Sequence, residues 1–152
     1  MNLRKSILAL DDSEVVLGAL SVVLSRAGYA VDTAINAGDA FTILALQPVD
    51  LMIVDLQIPS VSGFDFLTTV RRRRLSDAPA LMLTASEEIT DIKRARDLGA
   101  IGFFSKPFDG PTLLAKVHRI LTAPELVWID DHHSLVRGGE SEHRPMRLAA
   151  SK

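Results

Sequence analysis

The sequence predicts an α/β fold of the open, doubly wound kind, with a five-stranded parallel sheet between two layers of helix. Three observations carry that expectation. Five short runs rich in Ile, Leu and Val recur along the chain, each of strand length. A segment with apolar residues at helical spacing follows each run, so strand and helix alternate throughout. The strand runs are apolar at successive positions, as in strands buried on both faces, and intervening helices supply that cover through right-handed crossovers. A closed barrel of eight such units needs a far longer chain than 152 residues.

The first strand is SILAL (6–10). The helix after it is marked by Val16, Leu20, Val23, Leu24 and Ala27 and closed by Gly28. YAVDTA (29–34) is the second strand and 37–46 the second helix; DLMIVD (50–55) precedes a helix at about 63–74. PALMLT (79–84) leads to a helix over 87–98, and AIGFFS (100–105) to one over 109–122. That last helix stops near Ala123, because Pro124 disfavours helical geometry in the residue before it. Residues 1–123 are therefore expected to form one globular domain, and 124–152 an extension. Within the extension LVWI (126–129) is apolar and holds the only Trp, whereas the polar remainder has paired glycines and no apolar period, so disorder is expected there.

Bulk properties exclude more than they assign. Hydrophobic residues make up 47% and charged residues 24%, with a net charge of -2, which promises neither nucleic acid nor an anionic membrane as partner. The extension carries 4 basic and 5 acidic residues, so it is no basic arm. With no cysteine there is no disulfide framework, thiolate metal site or cysteine nucleophile. The basic N-terminus meets acids after about five apolar residues, unlike a signal peptide, and no segment approaches the ~20 apolar residues of a membrane span. A cytoplasmic protein is expected.

Ligands of open parallel sheets bind beyond the carboxyl ends of the strands. Polar residues gather there: Asp11 and Asp12 after the first strand, Asp55 at the end of the third, Thr84 of the fourth, Ser105 and Lys106 of the fifth. The second strand ends without such a group, as an edge strand would. A single Asp in such a place is ordinarily a turn former or helix cap, and Asp12 or Ser13 can cap the first helix. Three carboxylates on one rim, however, repel one another and demand protons or a cation. Lys106 balances one; a hard divalent ion such as Mg²⁺ takes oxygen ligands and keeps places for phosphate oxygens. The set reads as a phosphoryl site in which the Asp55 carboxylate attacks and forms an acyl phosphate.

With ALDDS, MIVDLQIPSVSGFDFL, LTAS and GAIGFFSKPF in place, residues 4–123 resemble the receiver domain of two-component response regulators. The resemblance implies the flavodoxin-like strand order 2-1-3-4-5 and a Mg²⁺- or Mn²⁺-dependent phosphorelay protein, not an enzyme but a phosphoacceptor that assists its own phosphotransfer and dephosphorylation. It implies Asp55 as acceptor of a phosphoryl group from a sensor histidine kinase. Asp12, Asp55 and the backbone carbonyl of Gln57 are implied as metal ligands, with Asp11 acting mostly through water. Thr84 and Lys106 are implied to hold phosphoryl oxygens, the Lys106–Pro107 bond to be cis, and Pro59 and Gly63 to shape the loop after Asp55. A histidine phosphotransfer protein or downstream regulator is an implied partner.

Departures from the family pattern are few. Phe103 stands at the switch aromatic, often Tyr, where its ring either swings with Thr84 or simply fills core. Ile58 replaces the usual Met at similar volume. Gln57 and Ser86 flank the approach of a hydrolytic water. The run RRRR (71–74) is expected to stay solvated at a helix C-terminus, favoured by the macrodipole. DDHHS (130–134) reads as solvated tail instead of a metal site. LVWI is expected to fold back onto its own domain or onto a second copy, and a homodimer with the extension contributing is expected. No DNA-reading helix-turn-helix follows, so direct DNA binding is not expected. Two rival readings are a phosphorylation-independent binding or dimerisation module, and a phosphatase similar to haloacid dehalogenase relatives, whose paired Asp lie two apart on the first strand.

Overall fold

The computed structural model describes residues 4–85, 92–123 and 129–130, and of Ile92, Ile129 and Asp130 the backbone alone. The elements run β1 (Ser6–Leu10), α1 (Glu14–Arg26), β2 (Ala30–Ala34), α2 (Ala37–Leu46), β3 (Leu51–Asp55) and α3 (Gly63–Arg72). After them come β4 (Ala80–Thr84), α4 (Ile92–Asp97), β5 (Ala100–Ser105), α5 (Gly110–Thr122) and β6 (Ile129–Asp130). All strands are parallel, in the order β2-β1-β3-β4-β5-β6. The expected alternation and the order 2-1-3-4-5 are therefore observed. The sheet differs from the expected five strands by β6, a two-residue strand of the C-terminal extension laid on the outer edge of β5. Residues 126–128 and 131–152, which include the only Trp and the paired histidines, lie outside the described residues.

Successive strand residues point to opposite faces, and this divides the core in two. Leu8, Leu10, Met52, Val54, Met82 and Phe103 face Ala40, Leu44, Phe66, Leu67, Val70 and Ala95 of α2, α3 and α4. Ile7, Ala9, Leu51, Ile53, Leu81 and Leu83 face Leu17, Leu20, Leu24, Leu113, Val117 and Ile120 of α1 and α5. Each fully buried Leu, Ile, Val, Met or Phe contributes ~1.5–3 kcal/mol of apolar burial. The central strands β3 and β4 are buried along their whole length, which is why their sequences carry no alternation.

Helix starts follow from local chemistry. Ser13 Oγ accepts from the Val16 N–H at 3.2 Å, so Ser13 and not Asp12 caps α1. Asn36 caps α2, Ser62 caps α3 and Asp109 caps α5, each accepting an N–H three residues on. Gly28, at φ +102, ends the α1 turn in the left-handed conformation that the sequence signal implied.

The arginine run departs from expectation at its first member. Arg72, Arg73 and Arg74 are exposed, but the Arg71 guanidinium turns inward and donates to three carbonyls: Leu98 O at 2.8 Å, Ser76 O at 2.8 Å and Ala78 O at 2.7 Å. It ties the end of α3 to the turns before β4 and β5. A planar fork of donors does this and a lysine does not. Burial pulls its pKa down, with the Asp77 charge opposing.

Candidate functional site

Parallel strands end on one rim, and the polar residues singled out in the sequence meet there. Asp11 follows β1 directly and its N–H donates to Ala34 O at 3.1 Å, which pins it to the end of β2. Its carboxylate is fully buried: Oδ1 accepts from the Ser13 N–H at 2.9 Å and Oδ2 from Lys106 Nζ at 3.0 Å. Asp55 closes β3, buried as well, with Oδ1 accepting from the Gln57 N–H at 3.1 Å and Oδ2 from Lys106 Nζ at 3.3 Å. Asp12 is exposed at the mouth. Carboxylate oxygens of Asp11, Asp12 and Asp55 all lie within 4.8 Å of one another.

Lys106 reaches this group from the loop after β5, across a Lys106–Pro107 bond that is cis, as the resemblance implied. Its backbone N–H donates to Thr84 O at 2.8 Å, so the ends of β4 and β5 are fastened together at the two residues that bear the hydroxyl and the ammonium. Thr84 is buried at the end of β4. Phe103 is fully buried in the layer that holds Val54, Ile58 and Met82, with its ring inside the core. Ile58 fills core too, and Ser86 lies outside the described residues.

The loop after Asp55 is shaped by steric need. A Cβ on Gly63 would come 2.9 Å from Leu56 Cα and closer still to Asp55 O, so only glycine lets α3 begin against the acidic strand end. Its N–H donates to Leu56 O at 2.8 Å, and Ser60 takes a left-handed φ of 76°.

Electrostatics set the site apart from a salt-bridged surface. Burial pushes the Asp55 carboxyl above its ordinary pKa; the Gln57 N–H opposes, Asp11 adds to the rise, and Lys106 counters it. Burial works to lower the Lys106 pKa, yet the hydrogen bond to Asp11 and the two carboxylate charges raise it overall, so the ammonium stays charged at neutral pH. Three carboxylates, two of them buried, against one ammonium leave an excess of negative charge at the rim. The all-oxygen donor set fits a hard divalent cation such as Mg²⁺ and not a thiophilic one.

Two residues escaped the sequence reading. Lys116 is buried in α5 and its Nζ donates to Phe103 O at 3.0 Å, 5.7 Å from the centre of the Phe104 ring. The signal was its place on the core stripe of α5, with Leu113, Val117 and Ile120 at helical spacing. Arg71 is the other; it lines a cleft of about 560 Å³ at the opposite end of the sheet, together with Lys5, Asp50, Asp77 and Arg96. That cleft is far from the acidic rim.

Known proteins share this fold. The chain matches the response regulator receiver domain family over residues 7–118 and belongs to it. It is thus the receiver domain of a two-component response regulator, a signalling module. The DNA-binding dual master transcriptional regulator RpaA of Synechocystis is 40% identical over 118 residues, covering 76% of this chain and 48% of that protein. The alkaline phosphatase synthesis transcriptional regulatory protein PhoP of Bacillus subtilis is 33% identical, covering 82% of this chain and 51% of its own length. The chain spans about half the length of these relatives. Among solved structures, the chemotaxis response regulator CheY4 of Vibrio cholerae superposes with a TM-score of 0.72 at 33% identity, over 78% of this chain and 99% of that one. A Burkholderia pseudomallei response regulator with a phosphorylated aspartic acid, calcium ion and citrate gives a TM-score of 0.68 at 30% identity, over 78% of this chain and 69% of that one.

Proposed function

We propose that this receiver domain accepts a phosphoryl group on Asp55 from the phosphohistidine of a sensor kinase and signals through a change of conformation to a partner protein. The observation that carries the reading is Lys106 Nζ held between the buried carboxylates of Asp11 and Asp55, at 3.0 Å and 3.3 Å. An Asp55 oxygen attacks phosphorus; the new P–O bond forms as the P–N bond breaks, and the leaving imidazole takes up a proton from water. Lys106 turns its charge to a phosphoryl oxygen, and the Thr84 hydroxyl donates to another. Asp12, Asp55 and the Gln57 carbonyl would hold Mg²⁺ or Mn²⁺, with Asp11 acting through water. The bound ion supplies positive charge against the phosphoryl oxygens. The phosphorylated aspartic acid and calcium ion of the Burkholderia pseudomallei regulator support the same roles here.

Binding the kinase needs a surface beside the rim. On α1, Val15 (82% exposed), Gly18, Ala19 and Val22 (51% exposed) form an apolar stripe at helical spacing that begins next to Asp12. A partner helix packs well on such a stripe. Among the described residues no helix is long and apolar enough to cross a membrane, and the proposed place of action is the cytoplasm. In this reading residues 1–123 are the receiver domain and 124–152 an extension that contributes to a homodimer. The downstream partner is a protein, a histidine phosphotransfer protein or a further regulator, with no DNA contact by this domain. Incubation with an autophosphorylated histidine kinase tests the reading. Label is expected to pass to the wild-type chain in Mg²⁺ and not to Asp55→Asn, and transfer to the variant would overturn it.

A further inference from the structure

Every strand starts at the end of the sheet away from Asp55, and every helix, running back, finishes there. Six exposed cations gather at that end: Lys5 before β1, Arg26 closing α1, Arg72, Arg73 and Arg74 at the end of α3, and Arg119 in the last turn of α5. Among the described residues three exposed acids share it, Asp50, Asp77 and Asp97. Two of the three are engaged: Asp50 accepts from the Ser6 N–H at 2.8 Å, and Asp97 is paired with Lys93 at 2.9 Å. The acidic rim holds the opposite excess, with Asp12, Glu14, Asp39, Asp65 and Asp109 exposed around it. The net charge of -2 therefore conceals a molecule with one acidic and one basic end.

Helix macrodipoles favour cations in a last turn, which accounts for Arg26 and Arg119. They do not account for Arg74. The end of α3 is a Schellman turn, in which the Leu75 N–H donates to Val70 O at 2.9 Å and the Arg74 N–H to Arg71 O at 3.2 Å. The residue after the cap takes a left-handed φ, 58° here, and glycine is the residue that fills this position without steric cost. An arginine stands there instead, next to two more, and the three guanidinium groups make no hydrogen bond or ion pair among the described residues. Arg71 fixes the backbone that carries them through its three carbonyl bonds. Three charges are thus held out to solvent on an anchored turn, one of them against its own backbone preference.

The breadth of the basic end selects the kind of partner. Arg26 and Arg119 end helices on one face of the sheet, Arg72 to Arg74 end a helix on the other, and Lys5 stands at the sheet itself. The cations therefore cross the full thickness of the sandwich. A planar anionic surface meets all of them together, whereas the phosphates of a nucleic-acid strand form a narrow line that meets a few. Leu46, 79% exposed at the end of α2, lies at the same end, an apolar side chain that a lipid headgroup layer can receive. We infer that this end of the molecule docks on the anionic headgroups of a lipid bilayer, with the arginines on the lipid phosphates and the Asp55 rim turned directly away from the membrane.

Co-sedimentation of the full chain with vesicles tests the inference. At low ionic strength the wild-type chain is expected to sediment with vesicles of equal parts phosphatidylglycerol and phosphatidylcholine and not with phosphatidylcholine alone. Release is expected in ~1 M salt, where the Debye length falls to ~3 Å. Each Lys or Arg at an anionic bilayer contributes a factor of about 5 in affinity, so the triple substitution Arg72→Gln, Arg73→Gln, Arg74→Gly is expected to weaken binding ~100-fold. Arg74→Gly alone relieves its own backbone; it is expected to bind about 5-fold more weakly while unfolding in urea no earlier than wild type. A wild-type chain that stays in solution with the anionic vesicles, or sediments equally with phosphatidylcholine alone, overturns the inference, and so does either variant binding as wild type does. A chain that leaves the vesicles for duplex DNA at equal phosphate concentration overturns the lipid assignment in favour of nucleic acid.

Discussion

Lys106 Nζ lies 3.0 Å from Asp11 Oδ2, joining the loop after β5 to the end of β1 across 95 residues of sequence. The same nitrogen reaches Asp55 Oδ2 at 3.3 Å, so one ammonium restrains two buried acids. Any divalent ion or phosphoryl group that enters must take over part of that work.

Replacing Lys106 by Met keeps the aliphatic stem and removes the charge. Two buried carboxylates are then left without their cation, and a loss of ~1–3 kcal/mol is expected at neutral pH. Urea unfolding without added divalent ion checks it. The loss is expected to shrink at low pH, where Asp55 is protonated, and in Mg²⁺.

The Asp55 carboxyl lies above its ordinary pKa because burial disfavours its charged form. The folded chain therefore holds this proton where the unfolded chain has released it. Stability is greatest below the ordinary aspartate value, near ~4, and falls as pH rises through the raised folded value. Asp55→Asn removes this dependence, and its thermal midpoint at pH 7 is expected ~2–5 °C above wild type without divalent ion. Adding Mg²⁺ is expected to raise the wild-type midpoint and leave the variant nearly unmoved. Scanning calorimetry from pH 4 to 8 reads both effects.

Gly63→Ala places a methyl group against the backbone of Asp55 and Leu56, neither of which can step aside. A destabilisation of ~2–4 kcal/mol is expected, measured by urea unfolding. An alanine with wild-type stability would mean that α3 can start elsewhere.

Arg71→Lys keeps the charge and loses the fork that serves Leu98 O, Ser76 O and Ala78 O. A cost of ~2 kcal/mol is expected in the same measurement, with phosphorylation at the opposite end of the sheet unaffected.

Arg71 also shows where sequence reasoning stops. The strands were legible because β3 and β4 are buried on both faces and read as unbroken apolar runs; the rim was legible because an open sheet dictates where strand-end residues meet. Asp11, Asp55, Thr84 and Lys106 fall into place from that rule alone. What a long side chain does with its end is not written in periodicity: Arg71 looked like one of four solvated arginines, and its partners are carbonyls from the turns before β4 and β5. Lys116 was closer to legible, since a charge on a core stripe has to find a partner. The pairing of Ile129 and Asp130 with β5 could be read as an apolar segment needing cover, but register between distant strands has no local signature. The β-hydroxyl of Thr84 and the ring of Phe103 were recognised by position, while the bond from the Lys106 N–H to the Thr84 carbonyl, which fastens β4 to the end of β5, appeared only in the structure.

The central claim is that Asp55 is the phosphoacceptor of a site completed by a divalent ion. Intact mass after incubation with acetyl phosphate tests it most directly. The account predicts one added phosphoryl group on the wild-type chain in Mg²⁺, and none on Asp55→Asn or on wild type in chelator. Addition to the Asp55→Asn variant, or to wild type equally with and without Mg²⁺, would contradict it.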